Sequence, residues 1–277
     1  MSTFITETWL RERHGLSEGT ELHLPADARL TPAARALIEA RRLTVKYHDE
    51  QGRLFRDNQA GDGAEPEPVH GLTGQAESVV ACCQLCHQPA EHKPEGMTHL
   101  NARELVAKND PRLRLRAQLD AAIALAVWLQ VELREPQELV AWLGDLRSVL
   151  GQVMRADVLG ESLPGFSIGG LDDGELHRLS HAPLKYLGHD HLVPELAHGR
   201  ACAQLNLLRA KVREVEVCAA EVFIGPGYQL QRKDLLHALN RLSSALYVAM
   251  LLSVLHQRGQ PWPSREVLLQ RLQGDRS

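Results

Sequence analysis

The sequence predicts an all-α fold: a four- to five-helix bundle with a small irregular N-terminal module that carries a Cys/His metal site. Four long segments place apolar residues at steps of three and four, which is the spacing of one helix face. Leu and Ala dominate the apolar residues and aromatics make up 4% of the chain, a composition that favours helix over strand. No βαβ alternation and no internal repeat is expected. Packing of amphipathic helices against one another is therefore the predicted architecture.

The bundle helices are predicted from the apolar stripes and from the residues that interrupt them. Pro136 ends the first stripe, and Gly225-Pro226-Gly227 separates the last two. The segment Gly160–Pro194, rich in Gly, His and Pro, is expected to be an interruption, and PWPSREVLLQRLQ a short closing helix. The four main segments are Leu113–Leu133, Leu139–Met154, Glu195–Phe223 and Gln231–His256.

Residues 1–60 are predicted to form an N-terminal extension or a separate subdomain. Thr31 and Pro32 are suited to the N-cap and first position of a helix. LTVKYHDEQGRLF after it favours a short hairpin with Gly52 in the turn. The stretch QAGDGAEPEP is typical of a linker. We therefore expect three parts: 1–60, a linker and metal-binding segment at 61–95, and a helical-bundle domain at 96–277.

Charge and composition exclude some classes of protein. The net charge of −4 gives no basic surface of the kind that nucleic-acid binding needs. The first residues lack the apolar core of a secretory signal. The longest apolar run, Leu242–Leu255, contains three serines and is shorter than the roughly 20 residues of a membrane span. Five cysteines, three of them clustered, favour a reduced compartment. A soluble, cytoplasmic protein without nucleic-acid or membrane partners is predicted.

Three cysteines and a histidine follow the order His-x11-Cys-Cys-x2-Cys, which predicts a metal site. The ligand candidates are His70, Cys82, Cys83 and Cys86. Cys-x2-Cys turns two sulfurs to one side, whereas Cys82 would point the other way in an extended backbone. Three thiolates and an imidazole suit Zn²⁺ or Fe²⁺. Competing ligands are His87, His92 and His99. Incidental cysteines, or a catalytic site with water in the fourth position, are the alternatives.

The cysteine motif, together with the opening FITETWLRERHGLSEGTELHLPADARLTPAAR, resembles the ethanolamine-utilisation type of ATP:corrinoid adenosyltransferase. The resemblance runs along nearly the whole chain. From Lys93 onward the chain is also similar to the propanediol-utilisation type, a helical-bundle family that forms trimers with active sites between subunits. The resemblance implies transfer of the 5′-deoxyadenosyl group of ATP to reduced cob(I)alamin, with release of triphosphate.

The resemblance also implies site residues. Gly96–Leu100 is similar to the end of the family's phosphate loop, although the Thr-Gly-Asp opening is missing. Ala107–Arg112 is similar to its S-K-D-D-P-R segment, and Ser244 replaces the acid that ends its L-N-R-L-S-D helix motif. The ATP-binding residues implied are Lys93, Gly96, Thr98, Lys108, Arg209, Arg213, Glu216, Asn240 and Arg241. The catalytic residues implied are Arg209, Arg213 and Asp120.

The residues themselves leave alternatives open. Arg209, Arg213 and Glu216 are spaced to share one helix face, where they form either a solvated salt-bridged stripe or a triphosphate clamp. Lys108 lies in a turn and serves either a phosphate or the surface. Asp120 is either a charge favoured by the helix dipole or, as the family implies, the partner of an Arg across a subunit boundary.

The segment Leu184–Pro194 combines histidines with bulky apolar residues. Its histidines, His189 and His191, suit metal binding or, more often, hydrogen-bonded structure. A third interpretation follows from the resemblance: the segment shields one face of a corrin ring and excludes the lower cobalt ligand. The corrinoid-binding residues predicted are Tyr186, Leu187, His189 and Leu192.

The resemblance implies several partners as well. They are ATP with Mg²⁺, a corrinoid, a cob(II)alamin reductase, ethanolamine ammonia-lyase and other copies of this chain, with a trimer favoured over a dimer. Association with an ethanolamine microcompartment is a further expectation. The rival hypotheses are a non-enzymatic metal-dependent interaction module on a helical bundle, and a metal-dependent hydrolase. The Arg and Asn residues of the last two long helices favour the transferase, because a scaffold does not need them.

Overall fold

The computed structural model describes residues 4–14, 16–49, 80–90, 92–101 and 103–273, and the backbone of two short strands at 54–56 and 67–68. The chain divides into two compact units, residues 1–79 and 80–277. The expected boundaries near residues 60 and 95 stay predictions.

The first unit combines two helices with short strands around a small apolar core. Its elements are β1 (Phe4–Ile5), α1 (Glu7–Arg13), β2 (Glu21–Pro25), β3 (Arg29–Leu30), α2 (Pro32–Ala40), β4 (Thr44–His48), β5 (Leu54–Arg56) and β6 (Glu67–Pro68). β1 pairs with β3, and the second sheet has the order β2-β4-β5-β6. The core residues are Ile5, Leu10, Leu22, Leu24, Ala34 and Leu43.

Two expectations for this unit are confirmed and one is wrong. Thr31 caps α2, its side chain accepting a hydrogen bond from the N–H of Ala34, and β4 pairs antiparallel with β5 as a hairpin requires. Gly52 lies outside the described residues. β2 and β4, however, are parallel and α2 connects them, so the chain does contain a βαβ unit. The alternation of buried Leu22 and Leu24 with exposed neighbours was the signal for β2.

The second unit is the helical bundle, preceded by a small sheet. Its elements are β7 (Cys82–Cys83), β8 (Met97–His99), β9 (Glu104–Ala107), α3 (Pro111–Glu132), α4 (Gln137–Leu159), α5 (Asp173–His181), α6 (Pro183–Leu187), α7 (Gly199–Phe223), α8 (Lys233–Gln257) and α9 (Arg265–Gln273). A 3-10 turn, Leu196–His198, precedes α7. The prediction of a mostly helical bundle is confirmed, whereas the all-α class is too narrow because small sheets are present.

The predicted stripes form the bundle core, with α8 at its centre. α8 packs against α4, α5, α6 and α7, and most positions from Leu235 to Leu255 are buried, whereas His237 and Asn240 are exposed. By length and composition α8 could cross a membrane. Since 83% of its most apolar stretch is buried against the rest of the unit, it has the environment of a bundle core helix.

Helices α5 and α6 were not predicted, because both lie within the segment Gly160–Pro194, which was expected to be an interruption between helices. Asp172 and Glu175 form a capping box: the N–H of each residue donates to the carboxylate of the other at 2.8 Å. Leu176 and Leu179, one turn apart, are buried. The Asp-x-x-Glu spacing followed by these two leucines was the signal that could have identified α5.

Asp234, in the first turn of α8, holds the segment after α4 in place through hydrogen bonds. Its carboxylate accepts hydrogen bonds from the guanidinium of Arg232 and from the N–H of Leu163 at 2.9 Å. Arg232 also donates to the carbonyl oxygens of Ala156 and Glu161. The hydrogen bonds from Arg232 are the main reason that the pKa of Asp234 falls from 3.8 to about 2.

We predict that Asp234→Asn destabilises the protein at neutral pH. The folded state depresses the pKa of this carboxyl, so its contribution is present above its ordinary pKa of 3.8 and is lost as pH falls toward about 2. We expect a loss of about 1–2 kcal/mol in the free energy of unfolding at pH 7, discounted for partial exposure.

Urea unfolding at pH 7 and pH 2.5 tests this prediction. The difference between wild type and Asp234→Asn should shrink at the lower pH, because at pH 2.5 the carboxyl of the unfolded chain, with its ordinary pKa of 3.8, is protonated, and keeping the folded carboxyl charged then costs free energy. Glu138→Gln, at an exposed position in the first turn of α4, is the matched control and should change stability by a few tenths of a kcal/mol. An equal loss for both variants would contradict the role of Asp234.

Candidate active site

Arg209 and Arg213 lie on α7 beside a groove of about 640 Å³ on the surface of α3 and α7. Within the described residues, neither arginine forms an ion pair, whereas neighbouring cations do: Arg114 pairs with Glu221, and Lys211 with Glu214. The salt-bridged stripe considered from sequence is therefore not what α7 presents at these two positions. The groove is lined by Arg114, Gln118, Arg209, Ala210, Arg213, Glu214, Val217, Cys218 and Glu221.

Arg209 is the more buried of the two arginines. Its Nε is buried and has no hydrogen-bond partner in the described part of the chain. Burial, followed by the positive charge of Arg213, lowers the pKa of Arg209 below its ordinary value. Its guanidinium lies against the ring of Tyr247, with 5.5 Å from Cζ to the ring centroid. A partly desolvated cation beside another cation is an environment that favours an anionic ligand.

Glu216 and Asn240 meet across the contact between α7 and α8. Asn240 Nδ2 donates to Glu216 Oε1 at 2.9 Å. The third member of the predicted α7 set thus faces α8. Both residues belong to the predicted ATP set, and the structure brings them together although 24 positions separate them.

Arg241, also predicted for ATP, is buried and turned toward α5. Its Nε lies 2.5 Å from Asp173 Oδ1 without hydrogen-bond geometry, and its Nη1 lies 2.8 Å from His177 Nδ1. The motif position that carries an acid in the family is Ser244 here, yet Arg241 still has a carboxylate partner. In this structure Arg241 holds two helices together.

Three histidines surround this ion pair, and none was predicted from sequence. His237 Nε2 lies 2.8 Å from Asp173 Oδ2, and the rings of His177 and His181 are 4.0 Å apart. Burial would raise the pKa of Asp173, but His237 and Arg241 outweigh it and leave the pKa lowered. The pKa of His177 is lowered by burial, then by the nearby charges of His181 and Arg241. The i, i+4 spacing of the two α5 histidines was the available signal.

The β8–β9 hairpin brings together three residues that were predicted to bind ATP. The N–H of Lys108 donates to the carbonyl oxygen of Gly96 at 2.9 Å, and Thr98 pairs with Val106. The side chains of Lys93 and Lys108 are exposed. Gly96, Thr98 and Lys108 therefore form one compact turn region ahead of α3.

The cysteine segment joins this hairpin through the small sheet. β7 pairs parallel with β9, and the N–H of Gln84 donates to the carbonyl oxygen of Leu105. Arg112 donates to Gln84 Oε1 at 2.6 Å and to Asp110, the N-cap of α3. The loop between Cys83 and Cys86 is thus tied to the start of the bundle.

The cysteines differ in geometry. The N–H groups of Cys86 and Leu85 donate to the sulfur of Cys83, which lowers the pKa of that thiol. Because Cys82 and Cys83 occupy one extended strand, their side chains point to opposite faces of the sheet. His70 lies outside the described residues. Within those residues no group of three or more potential ligands comes together, so the four-ligand site stays a prediction.

Most residues predicted for corrinoid binding lie in the bundle core. Tyr186, Leu187 and Leu192 are buried, and His189 is half-buried with Nδ1 2.8 Å from the carbonyl oxygen of Asp190. These side chains pack inward because their helix and loop fold onto α8 and α9. The apolar side chains that this region does expose are Leu184, Val193 and Leu196.

Asp120 lies exposed on α3. It has no ion-pair partner among the described residues, so its predicted contact with an Arg of another subunit remains untested.

The sequence matches two family models. Residues 4–68 match the corrinoid adenosyltransferase EutT N-terminal domain, and residues 90–253 match the cobalamin adenosyltransferase family, which is more than half of the chain. The chain belongs to the cobalamin adenosyltransferase family. Its N-terminal domain is that of the EutT type, as the cysteine motif and the opening segment indicated. Membership sets aside the hydrolase and the non-enzymatic module as the main function.

Curated relatives match along nearly their whole length. Corrinoid adenosyltransferase EutT from Escherichia coli strain K12 is 60% identical over 93% of this chain and 94% of the relative. The Salmonella typhimurium protein of the same description is 61% identical over 92% and 93%, respectively. A variant of the PduO-type ATP:corrinoid adenosyltransferase from Lactobacillus reuteri, solved with cobalamin and ATP, has a TM-score of 0.44 at 18% identity, covering 58% of this chain and 88% of its own.

We predict that Arg112→Ala loosens the cysteine segment of this adenosyltransferase. Removing the guanidinium deletes the charge-assisted hydrogen bonds to Gln84 and Asp110, and each such bond contributes about 1.5–3 kcal/mol. Amide hydrogen exchange at residues 82–86 and 104–107 should accelerate by about tenfold or more. Arg103→Ala, an exposed change beside the same sheet, is the control. Equal rates of amide hydrogen exchange in both variants would show that Arg112 does not stabilise the cysteine segment.

Proposed function

We propose that this chain transfers the 5′-deoxyadenosyl group of ATP to the cobalt of a reduced corrinoid and releases triphosphate. Family membership supports the reaction class. The observation that carries the assignment of residues is the pair Arg209 and Arg213, two cations beside an open groove without carboxylate partners in the described part of the chain. Guanidinium groups offer planar paired donors that match phosphate oxygens.

The main task of the protein in this reaction concerns the leaving group, triphosphate. The bond that forms joins cobalt to C5′ of ATP, and the bond that breaks is C5′–O, whose electron pair leaves with triphosphate. Cobalt is the nucleophile, so no protein base is needed. The protein orients two large substrates in line and stabilises charge that develops on triphosphate. Arg209 and Arg213 supply this stabilisation, with Glu216 and Asn240 fixing the adjoining turns of α7 and α8.

The β8–β9 hairpin is the second proposed contact with ATP. Gly96 and Thr98 lie in the same hairpin as Lys108, whose side chain is exposed, and this hairpin precedes the N-terminus of α3. Lys93 precedes this turn. These groups suit phosphates carried with Mg²⁺. Arg241, which is buried against Asp173, acts in this proposal by holding α8 in place and does not contact ATP.

The segment 184–196 is proposed to contact the corrinoid. Its buried members, Tyr186, Leu187 and Leu192, anchor it, while Leu184, Val193 and Leu196 present apolar surface. A large apolar ring such as corrin gains free energy by covering that surface. Contact there would also exclude water and a lower axial ligand from cobalt, which makes reduction easier.

The proposed active protein is a homo-oligomer, with a trimer favoured. The arginine groove is open on the α3–α7 surface, and α3 exposes Val127, Trp128 and Val131. Asp120 stands exposed on the same helix, where a neighbouring subunit could supply its arginine partner.

A divalent metal, Fe²⁺ or Zn²⁺, is proposed at the cysteine segment. The residues present fit such an ion: Cys83 and Cys86 have the Cys-x2-Cys spacing, and backbone N–H groups already point at the Cys83 sulfur. Cys82 and His70 would complete the set. The ties of this segment to β9 and Arg112 support a structural role, in which the metal stiffens the approach to the phosphate hairpin.

The product, an adenosylated corrinoid, is proposed to serve ethanolamine ammonia-lyase. A cob(II)alamin reductase would supply the reduced substrate. We place the protein in the bacterial cytoplasm, in association with an ethanolamine microcompartment; the resemblance to the ethanolamine-utilisation type supports this setting.

We predict that Arg209→Lys and Arg213→Lys each lower kcat/KM for ATP by about 100-fold, because an ammonium cannot reproduce the paired donors of guanidinium. The assay mixes metal-replete protein, ATP and chemically reduced cobalamin, and follows the change in corrinoid absorbance. Arg200→Lys, whose side chain pairs with Glu132 outside the groove, is the matched control and should retain full activity. Absence of any absorbance change with wild-type protein would exclude the proposed function.

We predict that Cys83→Ala loses the bound metal and lowers the melting temperature and activity together, as a structural ion requires. Metal content by mass spectrometry and thermal unfolding measure the two effects. Cys82→Ala in parallel shows whether the third thiolate joins the site. Activity lost at an unchanged melting temperature would point instead to substrate positioning.

A further inference from the structure

Tyr247 of α8 contacts both halves of the proposed site. Its ring lies against the guanidinium of Arg209, which is proposed to hold triphosphate. Its hydroxyl oxygen accepts a hydrogen bond from the N–H of Leu192 at 2.7 Å, in the segment proposed to face the corrinoid. The sequence did not indicate Tyr247, because it lies in a row of apolar residues on a core helix.

The loop at residues 189–194 depends on this tyrosine. Within the described residues, the hydrogen bonds that join this loop to another helix both end on Tyr247 Oη: the bond from Leu192 and a 3.4 Å contact with His191 Nδ1. The rings of His191 and Tyr247 also stack, with centroids 6.4 Å apart. The remaining bonds of the loop are local, such as the one from the N–H of His191 to Asp190.

The ring of Tyr247 also lies beside the guanidinium of Arg209 and forms part of its surroundings. Its Nε is buried without a hydrogen-bond partner among the described residues, and the aromatic face is a favourable neighbour for the cation. A movement of the ring therefore changes where the guanidinium can lie. A movement of the loop, in turn, pulls on the hydroxyl of the same side chain.

We propose that Tyr247 is a positioning residue that couples the two substrate sites, an inference that rests on the proposed function. Corrinoid binding moves or fixes the 189–194 loop, the hydroxyl of Tyr247 follows, and the ring places Arg209 for triphosphate. Because coupling between two binding sites is reciprocal, bound ATP strengthens corrinoid binding by the same factor.

Two substitutions separate the two contacts. Tyr247→Phe keeps the ring against Arg209 and deletes the acceptor of the Leu192 N–H; Tyr247→Leu deletes both. We expect Tyr247→Phe to raise KM for the corrinoid by about threefold to tenfold, the effect of one lost hydrogen bond. KM for ATP at saturating corrinoid should rise by about fivefold, the size of the lost coupling, while the Kd of ATP alone stays unchanged. Tyr247→Leu should in addition weaken the binding of ATP alone, by about threefold to thirtyfold.

Tyr228→Phe is the matched control. Tyr228 is 90% exposed in the turn between α7 and α8, and its hydroxyl has no hydrogen bond among the described residues. This variant removes the same atom and should have the kinetic constants of the wild type. Melting temperatures of all three variants show whether any change reflects loss of folding.

A binding measurement tests the coupling itself. Calorimetry gives the Kd of ATP in the presence and absence of cob(II)alamin, which permits no turnover. We expect the two wild-type values to differ by about fivefold or more, a common size for coupled sites. The ratio should fall toward one in Tyr247→Phe while the Kd of ATP alone is retained.

Three results would overturn the proposal: a wild-type ratio of one, a Tyr247→Phe ratio equal to that of the wild type, or loss of kcat alone together with a lower melting temperature. The last two would mean that Tyr247 is only structural. A wild-type protein that neither binds ATP nor alkylates cobalt would instead remove the proposed function and this inference with it.

Discussion

Burial of α8 is the constraint on which the bundle depends. Most of its residues are buried, so α4, α5, α6 and α7 must each cover a part of it. The same burial creates a polar requirement, because Arg241 is enclosed along with its neighbours. A buried cation needs a partner, and Asp173 of α5 provides one. The position of α5 is therefore set by a charge as well as by Leu176 and Leu179.

The contact between α7 and α8 also organises the proposed chemistry. Glu216 meets Asn240 across it, and Arg209 meets Tyr247. These residues lie on the two longest helices of the unit, which pack together over most of their length. Side chains on such rigid elements hold their geometry more closely than side chains on loops. The 189–194 loop, by contrast, reaches α8 from outside the helices, through Tyr247.

Much of the fold could be predicted from the sequence, for a definite reason. A stripe of leucines over twenty residues repeats the helical period many times, so the four long helices were identified with ends shifted by a few residues. Strands such as β7 and β8 span two or three residues and hold too few positions to show a period. The parallel pairing of β2 and β4 was missed for another reason: both strands span five residues, but Glu21 pairs with Thr44, and no local pattern shows which distant strands pair. α5 is short and polar, and only its capping box distinguishes it from a loop.

The candidate site could be predicted where its residues form a local motif. It could not be predicted where the residues in contact are far apart in the sequence. Arg209 and Arg213 share a helix face, which spacing alone establishes. The contact of Arg112 with Gln84 spans 28 positions, and that of Tyr247 with Leu192 spans 55. Such pairs form only when the helices pack, so no pattern in the sequence predicts them. The buried positions of Tyr186 and Leu192 follow similarly from packing: bulk and apolarity predict contact with something, but not whether it is a ligand or the core.

The partners of the arginines argue for where the ligand binds. Arg112, Arg232 and Arg241 each face a carboxylate, so the energetic cost of removing them from water is offset within the chain. Arg209 is partly buried, faces Arg213, and has no such carboxylate among the described residues. A folded protein retains an uncompensated cation of this kind at the expense of stability. The arrangement is accounted for if an anion completes it, and a triphosphate brings several negative charges to the two guanidinium groups at once.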